Sequence, residues 1–194
     1  MVDINLVKKL REETLVSLSK CKEALEETNG DIEKAKEFLR RKGIMEASKK
    51  LARETKAGVI GCYLHSNQRI GVLVKLSCET DFVAKNELFL ELAHNLAMHI
   101  AAMKPEYLSE EQIPEEVKKN LRESYLEEFK DVKKPKEIIE QIVNGKLKKR
   151  WQEICLLSQP YIKDSSLTIE ELLKTYIAKI GENIAVQDFV RLEI

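Results

Sequence analysis

The sequence is poor in the residues that mark several common classes of protein. Its 194 residues include 4 cysteines, and no two of them form a CxxC pair. A zinc knuckle and a dithiol redox site need such closely spaced thiols, so neither is encoded. The 7 glycines and 4 prolines leave little room for low-complexity linkers. Aromatic residues make up 6% of the chain, which is few for a large β-sandwich or for a surface that stacks bases.

An excess of charge of one sign is also missing. The 33 basic and 33 acidic side chains cancel to a formal net charge of +0, whereas general binding to nucleic acid is typical of a basic excess. No apolar run approaches the roughly 18 residues of a membrane span. The first residues carry charges on both sides of a very short apolar stretch, unlike a signal peptide. We therefore expect a cytoplasmic protein that contacts neither a membrane nor, directly, nucleic acid.

Three short amphipathic helices are predicted at the N-terminus, because apolar residues recur there with a helical period. The first covers about residues 4–13. The second ends at Asn29 and the glycine after it, since both tolerate the left-handed backbone of a helix end. The third begins after Asp31, a residue suited to an N-cap, and ends at Gly43. These helices predict a small bundle over residues 1–43.

The rest of the chain predicts an α+β core. Residues 44–57 are charged and indicate a helical linker in which Ala47 and Leu51 face inward. From residue 58 the apolar period changes to 2, which predicts a β-hairpin with one well-buried face. Its alternating apolar positions are Ile60, Cys62, Leu64, Ile70, Val72, Val74 and Leu76. Four helices are predicted to follow. The first three have the apolar sets Leu88, Leu92, Leu96 and Met103; Val117, Leu121 and Tyr125, which follow Pro114; and Ile138, Ile139, Ile142 and Val143, which precede Gly145. The fourth runs from a capping box at residues 168–171 to Gly181. A last strand completes a three-stranded antiparallel sheet packed by helices, in a core of residues 58–194.

Motifs of common catalytic sites are absent. The sequence has no GxGxxG, GxxxxGK[ST], HExxH or GxSxG pattern, so a nucleotide cradle, a zincin site and a nucleophile elbow are unsupported. His94 and His99 are more than one helical turn apart, and we do not expect them to share a metal. A Cys–His acyl-transfer pair of His65 with Cys62 or Cys78 stays open, although buried structural cysteines are far commoner. The sequence thus favours a protein that is not an enzyme and that needs no cofactor.

The segment of residues 78–86 joins the hairpin to the next helix and has an unusual composition. Phe82 and Val83 stand beside Asp81 where such junctions usually carry small polar residues. One interpretation is a hydrophobic staple, in which Thr80 or Asp81 caps the helix and Phe82 folds back onto it. The other is an exposed aromatic anchor, flanked by a carboxylate, that fills an apolar slot on a partner. Periodicity cannot choose between them.

Motifs along the whole chain resemble those of one family. They are Leu10-Arg11-Glu12-x-Thr14, Cys21-Lys22-x-Ala24-Leu25, Asn29-Gly30-Asp31-Ile32, Thr80-Asp81-Phe82-Val83, Leu156-Leu157-x-Gln159-Pro160, and Gly181-Glu182-Asn183-Ile184 followed by Phe189 and Arg191. In order and spacing they are similar to the translation elongation factor Ts family. The family comprises guanine-nucleotide exchange factors for elongation factor Tu.

The resemblance implies a mechanism in which no covalent bond is made or broken. Residues Thr80, Asp81, Phe82 and Val83 would form an exchange element. Asp81 and Phe82 would insert between two helices of elongation factor Tu beside its GDP–magnesium site, while Thr80 and Val83 shape the tip. Displacing Mg²⁺ would release GDP, and the factor would stay bound until GTP binds.

The resemblance also assigns a role to the N-terminal helices. Residues 1–43 would form a module like a ubiquitin-associated domain that docks on the nucleotide-binding domain of elongation factor Tu, with Arg11 and Leu18 as contacts. Ser19 occupies a contact position that is usually apolar, and Leu15 is the residue that could compensate. The glycines that the family has in the loop before Leu18 are replaced here by residues that disfavour positive φ.

Length bears on assembly. Longer members of the family carry a duplicated core, and this chain has the length of the short form. We therefore expect a homodimer that gives a 2:2 complex with elongation factor Tu; a functional monomer is the alternative. Two other functions stay open: a ubiquitin-associated-type binding module on an unrelated scaffold, and nucleic-acid binding through the basic runs at residues 40–42 and 146–150.

Overall fold

The computed structural model describes residues 3–14, 16–130 and 135–194. Its helices are α1 Ile4–Thr14, α2 Leu18–Glu27, α3 Ile32–Ser48, α4 Asp81–Ala84, α5 Glu87–Met103, α6 Glu115–Glu127, α7 Lys136–Ile154 and α8 Ile169–Ile180. Its strands are β1 Ala57–Leu64, β2 Ile70–Cys78, β3 Pro160–Tyr161, β4 Asp164–Thr168 and β5 Ile184–Glu193. Two units are distinguished: a first unit of Met1–Gly61, Lys75–His94 and Glu171–Gln187, and a second unit of Cys62–Val74, Asn95–Glu170 and Asp188–Ile194.

The three predicted N-terminal helices are confirmed in the first unit. Helix α2 ends where Asn29 and Gly30 adopt positive φ angles of 53° and 82°, as their tolerance of left-handed backbone predicts. Asp31 caps α3, because its side chain accepts a hydrogen bond from the backbone N–H of Lys34 over 3.1 Å. The three helices share an apolar core formed by Val7, Leu10, Cys21, Ala24, Leu25, Ala35 and Leu39.

The predicted end of α3 at Gly43 is wrong, because the helix continues to Ser48. Gly43 does not end the helix but allows a close approach between two helices. A Cβ atom built on Gly43 would lie 2.9 Å from the Cβ of Ala178 in α8. A glycine in the middle of α3 therefore lets the two helices of the first unit approach closely.

The segment after α3 is not the helical linker that the sequence predicted. Ala47 is buried, as expected, but it belongs to α3 itself. Leu51 is 48% exposed, which contradicts its predicted inward position. Residues 49–53 form turns and a bend, and residues 54–56 have no regular structure. Few apolar side chains are available in this stretch to bury a helical face, which explains the difference.

A three-stranded antiparallel sheet has the strand order β1-β2-β5, as predicted. Along β2 the side chains of Val72, Val74 and Leu76 are buried. In the first unit, a Cβ atom on Gly61 would lie 2.7 Å from the carbonyl oxygen of Ala93, so α5 passes close to β1 there. The sheet is therefore covered by a helix on that face.

The opposite face of the sheet is apolar and exposed. In the second unit it carries Cys62, Leu64, Leu73, Val190 and Leu192, all exposed, and we call these residues the outer sheet face. Ile60, Cys62 and Leu64 were among the alternating apolar positions of a hairpin expected to have one well-buried face, but all three are exposed. Alternation in a strand defines two faces and does not show which one a helix covers.

Helix α5 carries a continuous buried stripe. The stripe is formed by Phe89, Leu92, Ala93, Leu96, Ala97 and Ile100. Met103, predicted to be in step with the stripe, is exposed. Leu88 is only partly buried, and Phe89 takes its place in the core.

Helices α6 and α7 of the second unit begin after Pro114 and Pro135. Proline suits such a position because a helix start does not need its missing N–H. The predicted end before Gly145 is wrong: α7 continues to Ile154 and buries Trp151. A Cβ on Gly145 would meet nothing within 4 Å, so this glycine is a tolerated helical residue. The short β3–β4 pair was not predicted.

Candidate functional site

Thr80 organises the junction between β2 and the helices that follow. Its backbone is extended, with φ −129° and ψ 156°, and its hydroxyl accepts a hydrogen bond from the N–H of Val83 over 3.4 Å. The junction therefore contains a separate single-turn helix, Asp81–Ala84, with Thr80 as its N-cap. We call residues 80–83 the tip.

Phe82 lies at the surface. It is 89% exposed, so the hydrophobic staple is wrong and the ring has the exposure that the aromatic-anchor interpretation requires. Ala84 is the buried residue of this turn. Positions 82 and 84 lie about 200° apart around a helix, so burying Ala84 turns Phe82 outward. Asp81 is exposed next to it, and Val83 is partly buried.

A carboxylate far along the chain fixes the tip. The N–H of Thr80 donates to Oε2 of Glu182 over 3.0 Å, and its hydroxyl donates to Oε1 of the same side chain over 2.7 Å. The thiol of Cys78 donates to the carbonyl oxygen of Thr80 over 3.2 Å. Glu182 belongs to one of the family motifs in the sequence, but its contact with Thr80 was not predicted. No local signal could have found it, because the partners are 102 positions apart.

A second set of contacts lies directly beside the tip. Oε1 of Glu79 accepts a hydrogen bond from the N–H of Asn183 over 2.6 Å and lies 3.5 Å from Nη1 of Arg53. The side-chain amide of Asn183 donates to the carbonyl oxygens of Leu51 and Arg53 over 3.3 and 2.7 Å. Residues 79 and 80 are therefore both held by the segment 182–183.

The cysteine chemistry left open by the sequence finds no support here. Burial raises the pKa of the Cys78 thiol, and the negative charge of Glu182 raises it further. The thiol thus stays protonated near neutral pH and is a poor nucleophile. Nδ1 of His65 lies 3.0 Å from the hydroxyl oxygen of Tyr63. Cys62 is exposed on the outer sheet face.

The two predicted partner contacts lie on the N-terminal helices. Arg11 is an exposed residue of α1. Leu18, the first residue of α2, is 46% exposed, and Ser19 beside it is exposed as well. Leu15 lies outside the described residues. In the loop before α2, Ser17 has a φ of −59°, so this position does without the positive φ that a glycine would permit.

Members of both basic runs considered for nucleic acid pair with carboxylates. Arg40 and Arg41 both contact Glu37, and these hydrogen bonds lower the pKa of Glu37 to about 2, Arg40 having the larger effect. In α7, Lys146 pairs with Glu128, and Arg150 pairs with Glu106 and Glu153. Such pairs are typical of a solvated helix face.

The described part of the chain contains neither a group of side chains suited to a metal ion nor a helix suited to span a membrane. Within residues 3–14, 16–130 and 135–194, no three or more His, Cys, Asp or Glu side chains are grouped so that they could hold a metal ion. None of the helices described there combines the length and the apolar character needed to cross a bilayer.

Comparison with known proteins identifies the family to which this chain is similar. A family model described as Elongation factor TS matches residues 4–194. Elongation factor Ts of Thermosipho melanesiensis is 50% identical over 194 residues, covering 100% of this chain and 99% of the relative. The protein of the same name from Thermotoga neapolitana is 51% identical over 193 residues, covering 100% and 97%. The one from Carboxydothermus hydrogenoformans is 48% identical over 194 residues, covering 100% and 89%.

The matched region includes the N-terminal helices and the α+β core together. That continuity does not favour a binding module joined to an unrelated scaffold. A match over residues 4–194, with relatives about half identical along their whole length, leaves one assignment: the chain belongs to the elongation factor Ts family.

Proposed function

We propose that this protein is a guanine-nucleotide exchange factor for elongation factor Tu in translation elongation, acting in the cytoplasm. Family membership supports the proposal. The observation that carries it is the exposure of Phe82, at 89%, on a backbone capped by Thr80. Because an aromatic ring in solvent makes few contacts within its own chain, it can fill an apolar slot on a partner without breaking such contacts.

In this proposal the tip acts as a wedge on elongation factor Tu. Phe82 enters between two helices beside the GDP–magnesium site, and Asp81 brings a negative charge next to it. Thr80 and Val83 stabilise the turn through the hydrogen bond between the Thr80 hydroxyl and the N–H of Val83. Movement of those helices displaces Mg²⁺, so that the charge of the phosphates is no longer neutralised and GDP leaves. This chain contributes contacts to another protein and carries out no covalent chemistry.

The N-terminal helices supply a second contact in this proposal. Helices α1 to α3 act as a module like a ubiquitin-associated domain, which precedes a core of residues 58–194. Arg11 and Leu18 dock on the nucleotide-binding domain of elongation factor Tu. Their exposure supports this role, because a leucine exposed to 46% at a helix start offers apolar surface to a partner.

Thermodynamic linkage limits what such a factor does. If it weakens the binding of GDP to elongation factor Tu, GDP must weaken the binding of the factor by the same ratio. The factor therefore binds nucleotide-free elongation factor Tu most tightly and stays bound until GTP or GDP displaces it. It accelerates exchange in both directions and leaves the final ratio of nucleotides unchanged.

The protein is further proposed to be a homodimer that forms a 2:2 complex with elongation factor Tu. The support is the outer sheet face, where Leu64, Leu73, Val190 and Leu192 lie exposed on neighbouring strands of the second unit. Exposed apolar side chains of this kind can pack against the same side chains of a second copy related by a twofold axis.

The rate at which labelled GDP leaves elongation factor Tu tests the function. We expect this protein to accelerate dissociation strongly in a concentration-dependent way. Arg11→Ala and Leu18→Ala should raise the concentration that gives half the maximal rate, because they weaken docking and leave the tip intact. An unchanged concentration dependence in both variants would contradict the docking assignment.

A further inference from the structure

The tip is too small to hold its own shape. Helix α4 has 4 residues, Asp81–Ala84, and a single helical turn is unfavourable in isolation because it fixes several dihedral angles for one hydrogen bond. Exposed Phe82 adds little burial to compensate. A contact from outside the turn that holds its backbone therefore also sets the direction in which Phe82 leaves the surface.

Glu182 provides that contact. Its two carboxylate oxygens accept one hydrogen bond each from the N–H and the hydroxyl of Thr80, over 3.0 and 2.7 Å. Both bonds are charge-assisted, and a bidentate arrangement fixes orientation as well as distance. They hold the residue whose hydroxyl also caps α4 at Val83. The rotation of Thr80 about its side-chain bond is thereby set, and with it the start of the turn.

The base of this arrangement is itself held in place. Glu182 lies between Gly181 and Asn183, which are both tied to the segment after α3. The ammonium of Lys50 donates to the carbonyl oxygen of Gly181 over 2.7 Å, and the amide of Asn183 donates to the carbonyl oxygen of Arg53 over 2.7 Å. Glu182 therefore contacts Thr80 from a backbone that has little freedom to follow the tip if it moves.

We propose that Glu182 is a positioning residue for nucleotide exchange: its carboxylate fixes Thr80 and so presents Asp81 and Phe82 in the inserting orientation before elongation factor Tu is bound. The inference rests on the proposed exchange function. A preset tip does not spend binding free energy on its own ordering, so that energy remains available to move the helices of the partner.

Kinetics of GDP release separate positioning from binding. In Glu182→Ala we expect the maximal rate at saturating factor to fall roughly tenfold, while the half-saturating concentration changes less than about threefold. Glu182→Gln keeps an acceptor for the N–H of Thr80 and a donor for its hydroxyl, and should retain most of the rate. Glu116→Ala, which removes an exposed carboxylate of α6 in the second unit, is the matched control and should behave like the parent protein.

A double variant tests whether Glu182 acts through the tip. Because the Phe82 ring that Glu182 positions is then missing, the maximal rate of GDP release with Phe82→Ala/Glu182→Ala should be within about twofold of the rate with Phe82→Ala alone. Two effects that multiply would overturn the proposal, since Glu182 would then act elsewhere. A Glu182→Gln variant as slow as Glu182→Ala would overturn it as well, because the negative charge and not the two contacts would matter.

Amide hydrogen exchange on the protein alone distinguishes failure of this inference from failure of the exchange function. We expect Glu182→Ala to accelerate exchange at Thr80 and Val83 while the amides of α5 stay protected. A parent protein that does not release GDP would contradict the exchange function, and unchanged exchange at Thr80 and Val83 would contradict the positioning role of Glu182.

Discussion

The imidazole Nε2 of His99 lies 3.0 Å from the side-chain oxygen of Gln159, and both residues are buried. Because an amide oxygen can only accept, Nε2 carries the hydrogen. Nδ1 accepts a hydrogen bond from the N–H of Ile162 over 3.3 Å. His99 is thus a neutral structural residue of the second unit, and its two nitrogens are fully used.

This pairing predicts a pH-dependent stability. Burial lowers the pKa of His99, and the hydrogen bond to Gln159 raises it by less. The unfolded chain binds this proton more readily, so stability is complete above the ordinary pKa and falls as the pH drops below about 6.5. Urea unfolding should show that the free energy of unfolding decreases as the pH is lowered from about 7.5 to 5.5. In His99→Gln the protein should be less stable at neutral pH and lose less over the same interval. Equal losses in the two proteins would exclude His99 as the cause.

The two helical glycines should respond in opposite directions to alanine. Alanine is favoured over glycine inside a helix by about 1 kcal/mol. Gly145→Ala should gain much of this, because nothing lies within 4 Å of the new Cβ. Gly43→Ala should instead destabilise by about 1 kcal/mol, since its Cβ would lie 2.9 Å from that of Ala178. Chemical unfolding of both variants provides the comparison. A gain at Gly43 equal to that at Gly145 would mean that α3 and α8 are not in close contact.

Two phenylalanines seven positions apart should differ sharply in their effect on stability. Phe82 is 89% exposed and Phe89 is 0% exposed. Phe82→Ala should therefore change the free energy of unfolding by less than about 0.5 kcal/mol, whereas Phe89→Ala should cost roughly 3–5 kcal/mol. Thermal unfolding measures both. A large loss in Phe82→Ala would show that the ring is packed within its own chain.

Assembly can be tested on the outer sheet face. Leu192 is 68% exposed there, and Leu192→Lys places a charge where a second copy is expected to pack. Light scattering should give the mass of a dimer for the parent protein and of a monomer for the variant. Ile138→Lys, on the exposed side of α7, should leave the dimer intact. A parent protein that scatters as a 22.4 kDa species would contradict the dimer.

The sequence predicted those parts of the fold that rest on local signals. The N-terminal helices, the hairpin and the last strand follow from apolar period and from caps such as Asp31. Gly43 and Gly145 were misread as helix ends, because local pattern cannot show whether a glycine ends a helix or lies within one. Strands β3 and β4 have 2 and 5 residues, too few for a clear period.

The candidate site was predicted only in part for a related reason. Local sequence located the tip but could not show whether Phe82 was buried, since a staple and an anchor use the same residue types. Glu182 was missed because its contact with Thr80 joins parts of the chain 102 positions apart. Contacts of that kind depend on how β2 and the start of β5 are brought together within the first unit.

Release of labelled GDP from elongation factor Tu, followed with and without this protein, tests the central claim most directly. The parent protein should accelerate release strongly, and Phe82→Ala should lose most of that acceleration while unfolding at the same temperature as the parent. Full acceleration by a folded Phe82→Ala variant, or none by the parent protein, would contradict the account.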